Sequence, residues 1–188
     1  RVHQIADLNS DGYLDVLLGS GWYSNSGGNN FSRRNSLDLN NRYSIVDDYN
    51  QDQLMDIIHC QQRYLYLSIR NLDGTYTNQI LLDSISNYSE SYTGLFLIDI
   101  NNDERNSIVS QSSNKLNIYE FNSITNALEP VHQFNIQAEE GGTKIFDLNN
   151  DGFMDMVRLY SYEPANSGIV WYKNNSGIAL EEVQIPLN

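Results

Sequence analysis

The nine residues Asp147-Leu148-Asn149-Asn150-Asp151-Gly152-Phe153-Met154-Asp155 place acidic or amide side chains at positions 1, 3, 5 and 9, and a glycine at position 6. Alternate residues of a tight loop turn their oxygens toward one point. A hard cation such as Ca²⁺ takes about six to eight oxygen ligands at roughly 2.3–2.6 Å, and glycine supplies the positive φ such a turn needs. Asp7-Leu8-Asn9-Ser10-Asp11-Gly12-Tyr13-Leu14-Asp15 is a second full copy. Side-chain donors are therefore expected from Asp7, Asn9, Asp11 and Asp15, and from Asp147, Asn149, Asp151 and Asp155, with the Tyr13 and Phe153 carbonyls at position 7. A third copy keeps Asp48, Asn50, Asp52 and Asp56, with the Leu54 carbonyl, but carries Gln53 at position 6. A non-glycine there costs roughly 1 kcal/mol, which metal binding can offset. The fourth copy retains Asp99, Asn101 and Asp103 but has Glu104 at position 6 and Ser107 at position 9. It is the weaker candidate, expected either to be empty or to hold its turn by hydrogen bonds alone. Three Ca²⁺ ions are thus expected, and a fourth only if Ser107 suffices.

Two other readings of these loops are weighed. An EF-hand needs a bidentate Glu at position 12 and flanking helices, whereas position 12 is Leu18 in one full copy and Arg158 in the other. An ion-free turn built on local Asx hydrogen bonds is the plainer alternative. Recurrence at corresponding places, and the repulsion of three carboxylates brought together without a cation, weigh against it.

Other reactive residues are few. His3, His59 and His132 share no ligand spacing and are read as structural or surface histidines. Cys60 follows His59 on a strand whose neighbouring residues face opposite ways, so it reads as a buried, inert thiol. Glu139-Glu140 before Gly141-Gly142 reads as a solvated turn. No Ser-His-Asp arrangement, phosphate loop or Cys-x-x-Cys pair is present, and the abundant carboxylates belong to the loops. No catalytic residue is expected, and the chain is read as a non-enzyme.

The elements that position these loops are strands. The loops begin at residues 7, 48, 99 and 147, intervals of 41, 51 and 48, a period that points to propeller blades or solenoid repeats. A short apolar, β-branched run precedes each loop (Val2–Ala6, Tyr43–Asp47, Leu95–Ile98, Lys144–Phe146) and another follows it. An aromatic-bearing third strand comes next, including Trp22-Tyr23 and Trp171-Tyr172. After a polar turn, a fourth strand is expected at Phe31–Leu37, Tyr76–Leu82, Leu128–Phe134 and Ile178–Ile185. Four strands in meander order make a propeller blade. The fold class is therefore all-β, a β-propeller of four-stranded antiparallel blades, with approximate blades 1–41, 42–92, 93–140 and 141–188 in a single domain. Recurrence of Trp22, Tyr23, Trp171 and Tyr172 favours packing between blades over stacking on sugars.

The pattern apolar-Asp-x-Asn-x-Asp-Gly-x-x-Asp-apolar, followed by Trp-Tyr-x-Asn, resembles the FG-GAP/VCBS repeat of integrin-α-like β-propellers. The resemblance implies Ca²⁺ in the loops and a ring of about seven blades, so further blades from the same or another chain are expected beside the four visible ones. It also implies a secreted or extracellular setting, or the ectodomain of an anchored protein. The expected role is a non-catalytic, calcium-stabilised module for adhesion or for binding a protein or glycan ligand, lectin-like in the latter case. The alternatives are a scaffold or accessory domain of a secreted carbohydrate-active enzyme or toxin, and a purely architectural part of a larger assembly.

Composition narrows the partners. The 188 residues carry 24 acidic and 11 basic side chains, a net charge of −13, which argues against a nucleic-acid backbone. Four bound Ca²⁺ ions would bring −13 to −5, so much of the acidity is accounted for by the loops. No apolar run approaches the roughly 18 residues of a membrane-spanning helix, so direct insertion is not expected. A single cysteine excludes an intrachain disulfide. The start inside a repeat, without Met or a signal-like segment, reads as a mature, cleaved or partial piece. Three Asn-x-Ser sequons, at Asn30, Asn87 and Asn174, add weak support for secretion.

Overall fold

The structure is a computed structural model that describes residues 2–19, 21–34, 43–77, 79–87, 90–125, 127–136, 143–161, 167–175 and 180–186. The Glu139–Gly142 turn, the expected strand ends at 35–37 and 178–179, and residues 176–177 of the turn at 174–177 lie outside the described residues.

All regular structure among the described residues is β. Strands β1 (Val2–Ala6), β2 (Asp15–Leu18), β3 (Gly21–Asn25) and β4 (Phe31–Arg34) make the first sheet. The second holds β5 (Tyr43–Asp47), β6 (Asp56–Gln61), β7 (Tyr64–Ser68) and β8 (Ile80–Ser84). The third holds β9 (Tyr92–Ile98), β10 (Ser107–Ser112), β11 (Lys115–Asn122) and β12 (Ala127–Asn135). The fourth holds β13 (Lys144–Phe146), β14 (Asp155–Ser161), β15 (Ser167–Asn174) and β16 (Leu180–Pro186). In every sheet the strands neighbour one another in chain order, the meander of a propeller blade. Each nine-residue loop joins the first strand of its blade to the second.

One expected strand is displaced. The fourth strand of blade 2 begins at Ile80, not Tyr76. Tyr76 pairs only through an isolated bridge to Arg70, because Thr77 turns inward and exchanges bonds with Ile69. The Ile69 N–H donates to Thr77 Oγ1 at 2.9 Å, and the Thr77 N–H donates to the Ile69 carbonyl at 2.7 Å.

The chain forms two compact units, Arg1–Leu95 with Phe121–Leu128, and Phe96–Glu120 with Glu129–Asn188. In the first, Leu8, Leu17 and Trp22 of blade 1 bury against Val46 and Ile57 of blade 2. In the second, Ile100, Val109 and Ile118 of blade 3 bury with Met156 and Tyr172 of blade 4. Each fully buried side chain of this size contributes roughly 1.5–3 kcal/mol, so either junction is worth on the order of 10 kcal/mol before chain entropy is charged.

Polar bonds reinforce the first junction. Gln4 donates its amide N–H to the Val46 carbonyl at 2.9 Å and accepts from the Val46 N–H at 2.6 Å. His3 Nδ1 lies 3.1 Å from Ser44 Oγ. No helix of the described residues is long and apolar enough to cross a membrane.

Candidate functional site

The four loops close in the same way. In loop 1, the carboxylate of Asp7 accepts from the N–H groups of Asp11 (3.1 Å) and Gly12 (2.8 Å). Asp11 accepts from the Tyr13 N–H at 2.9 Å and from the Asn9 amide at 2.7 Å. Loops 2 and 4 repeat the set through Asp48 and Asp52, and through Asp147 and Asp151. Loop 3 does so as well: Asp99 accepts from Asp103 (3.1 Å) and Glu104 (3.0 Å), and Asp103 from Arg105 (2.9 Å). Turn closure thus needs neither the position-6 glycine nor a carboxylate at position 9.

Position 6 is left-handed throughout, as its glycines predict, including Gln53 at φ 68° and Glu104 at φ 67°. Nothing lies within 4 Å of a Cβ built on Gly12 or Gly152, so those glycines serve backbone conformation and not space. The sequence does not announce that position 4 is left-handed too: Ser10 (60°), Gln51 (63°), Asn102 (58°) and Asn150 (58°).

Position 9 has a second, separate task. Asp15, Asp56 and Asp155 are completely buried. Each uses one oxygen to accept from the backbone N–H at loop position 2 and the other to accept from a backbone N–H at or just past the end of the third strand. The distances are 3.0 Å from Leu8 and 2.7 Å from Asn25 for Asp15. They are 3.2 Å from Tyr49 and 2.9 Å from Arg70 for Asp56, and 3.0 Å from Leu148 and 2.8 Å from Asn174 for Asp155. The carboxylate ties its loop to its blade. The Asn of Trp-Tyr-x-Asn completes the clasp: Asn25 donates its amide to the Leu14 carbonyl at 3.3 Å, and Asn174 donates to the Met154 carbonyl at 3.4 Å. That motif is visible in the sequence, but its role emerges only from this geometry. Blade 3 has the short, buried Ser107 in place of the acid.

The electrostatics follow from burial and crowding. Burial raises the Asp15 carboxyl above its ordinary range; its two backbone donors oppose this, and Asp11 and Asp7 add like-charge repulsion. Asp56 is pushed up to about 6, mainly by burial, with Asp52 and Asp48 adding to the rise. Asp151, exposed at the loop tip, is lowered chiefly by the Phe153 N–H. The donor set, three carboxylates and an amide in each full loop, is the all-oxygen chemistry that Ca²⁺ prefers. The mutual repulsion at Asp15 and Asp56 is what a cation would relieve. Each carboxylate has about four lone-pair sites, so the backbone bonds leave acceptor capacity for an ion. Among the described residues, no three His, Cys, Asp or Glu side chains already converge as a metal-holding group. The loops therefore fit Ca²⁺ in donor type and charge, while their shape rests on hydrogen bonds.

Trp22 and Tyr172 are core residues of the two units, while Tyr23 and Trp171 are half-buried. Cys60 is buried and its thiol is pushed well above its ordinary range by burial, as expected of an inert thiol. His59 departs from the expected satisfied histidine. It is fully buried, and neither ring nitrogen has a hydrogen-bond partner.

No family model and no curated protein matches the sequence. Solved structures do match. An Agrocybe aegerita lectin, described by its specific recognition of non-reducing terminal N-acetylglucosamine, superposes with a TM-score of 0.65 at 17% identity, over 98% of this chain and 52% of its own. BBS1N, solved in complex with ARL6DN, gives a TM-score of 0.61 at 11% identity, over 100% of this chain and 57% of its own. The Photorhabdus luminescens Tc holotoxin pore gives 0.51 at 16% identity, over 98% of this chain and 9% of its own. The chain spans about half the length of the first two. At these identities the likeness is one of fold, and with the four meander sheets it makes this an all-β chain of β-propeller type.

Proposed function

We propose that the chain is a non-catalytic β-propeller module that binds a protein or glycan ligand, with Ca²⁺ held in loops 1, 2 and 4, and that it works outside the cell as an FG-GAP/VCBS-like repeat protein. The observation that carries the reading is the engagement of the loop carboxylates. Every acid of the three full loops is committed to backbone N–H groups, so the acids build a scaffold and are not free for proton transfer. The similar folds come from a lectin whose description names terminal N-acetylglucosamine and from BBS1N bound to ARL6DN, which supports recognition as the use of this architecture.

A glycan array probed with the labelled chain in Ca²⁺ buffer tests the ligand class. Retention on a terminal-N-acetylglucosamine or other defined glycan set, lost in EDTA, is the expected result for a lectin. A blank array in both buffers leaves protein recognition as the reading.

The metal is tested separately by thermal melting. At about a hundred-fold excess of Ca²⁺ over Kd, one site adds roughly 2.7 kcal/mol. For a chain of this size that is about 5–10 °C in Tm, reversed by EDTA and restored by Ca²⁺. An identical Tm in both buffers would remove Ca²⁺ from the proposal.

A further inference from the structure

Both blade junctions carry a polar step just beyond their apolar contacts. In blade 2, His59 stands two residues past Ile57 on β6, so the two share a face, and Ser44 lies opposite it on β5. In blade 4, Arg158 stands two residues past Met156 on β14, and the β13–β14 register, continued by one residue, sets Thr143 opposite it. Both hydroxyls reach back to the preceding blade: Ser44 Oγ lies 3.1 Å from His3 Nδ1, and Thr143 Oγ1 donates to Gln111 Oε1. In each case the second-strand side chain is buried and keeps nitrogen without a hydrogen-bond partner. These are both ring nitrogens of His59 and Nε of Arg158.

The two positions differ in charge. Burial leaves the imidazole of His59 neutral, whereas a guanidinium does not give up its proton. Arg158 therefore carries a full positive charge into the junction of blades 3 and 4, where it is only 5% exposed. It forms no ion pair with any described residue. The buried Tyr172 accepts a hydrogen bond from it through the phenol oxygen. Glu182 faces the same way from β16, opposite Tyr172, but is exposed and accepts from Gln184 at 3.2 Å. Thr143 and Gln111, both buried, are neutral. A buried charge without a counter-charge is costly, and an N–H left without an acceptor adds to that cost. The junction lacks one thing, an acceptor with a single negative charge.

We propose that Arg158 anchors a binding site for a small carboxylate anion at the junction of blades 3 and 4. The unpartnered Nε–H and the Nη–H on the same edge of the guanidinium form a planar pair of donors, the fork that a carboxylate accepts with both oxygens. The Tyr172 hydroxyl, accepting from Arg158, keeps its own proton to donate. One negative charge balances one cation, whereas a dianionic phosphate would leave the junction charged in the opposite sense. Arg158, Tyr172, Thr143 and Gln111 all belong to the second compact unit. The site gathers donors where the nine-residue loops gather acceptors. It goes beyond the ligand-binding reading and does not rest on it.

The test is thermal melting of the 188-residue chain in EDTA, with sodium acetate set against sodium chloride at equal ionic strength. At about ten times its Kd, acetate is expected to raise Tm by about 3–6 °C. Arg158→Met is expected to abolish that gain, and Arg158→Lys, which keeps the charge but not the fork, to weaken acetate by about ten-fold. With isotope-labelled arginine, the Nε resonance that disappears in Arg158→Lys is expected to shift as acetate is added to wild type. Glucuronate, set against neutral glucose, separates two sources of the carboxylate. Tighter binding than acetate assigns it to a sugar acid, and equal or weaker binding to a free acid. A gain in Tm that survives Arg158→Met, or an Nε resonance that neither acid moves, would overturn the proposal. The wild-type resonance decides alone if Arg158→Met does not fold.

Discussion

Asp155→Ala is expected to lower stability by about 2–4 kcal/mol, because it strips the acceptor from the Leu148 and Asn174 N–H groups together, at roughly 1–3 kcal/mol for each buried donor left unpaired. The measurement is chemical or thermal unfolding in EDTA, so that loss of a bound ion does not enter. Asp155→Asn keeps one acceptor oxygen and should recover part of the loss. Asp151→Ala, at the exposed loop tip, should shift the melt less, and so should Asp103→Ala in the loop whose position 9 is Ser107. If Asp151→Ala proved as damaging as Asp155→Ala, the buried carboxylate would not be the anchor of its loop. The same pair measured with Ca²⁺ present then separates the two roles of the acid: the extra loss on adding Ca²⁺ is its share of metal binding.

The second large effect belongs to His59. Its ring is fully buried on β6, stacks at 5.6 Å on Tyr66, and offers neither nitrogen a partner. Burial lowers its pKa from 6.5 to about 4. In the unfolded chain the group titrates near 6.5, so between those values the unfolded state binds more protons. Stability therefore rises with pH through this window and is lost as pH falls from about 6.5 toward 4. At 1.36 kcal/mol per pKa unit the full loss is about 3 kcal/mol, which for this size is roughly 6–12 °C in Tm. His59→Leu removes no hydrogen bond and should flatten the fall. Asp15 and Asp56, whose carboxyls are raised, pull the other way over part of this range, so the informative quantity is the difference between the two proteins. Parallel Tm–pH curves for wild type and variant would show that the ring is not the acid-sensitive group.

Much of the architecture is legible in the sequence because the loops set the phase of everything around them. Once Asp7, Asp48, Asp99 and Asp147 are fixed, the runs on either side can only be the first and second strands, and their alternation fixes which residues face a neighbouring blade. Position 6 is legible for a related reason, since Gly12 and Gly152 mark a conformation that Gln53 and Glu104 must then share. Position 4 is not, because Ser, Gln and Asn occur in many conformations and none of them requires a positive φ. The start of β8 is misplaced because Tyr76 reads as a β-forming start to the apolar run Ile80–Leu82, while the bonding of Thr77 depends on Ile69, eight residues away. The isolation of His59 was hidden as well: strand alternation foretells burial, but only the surrounding packing tells whether a buried nitrogen finds a partner. At the loops, the sequence shows which acids are available but not that each already accepts from at least one backbone N–H of its own blade.

The Gln4 amide has one more consequence. β5 is the first strand of its sheet, so its outer side carries backbone groups with no strand beside them. Such an edge invites another polypeptide to zip on and begin aggregation. Gln4 occupies both groups of Val46 at once, filling in one residue's width the slot an intruding strand would need. A single amide thereby blocks the backbone of Val46, near the end of β5, against an intruding strand.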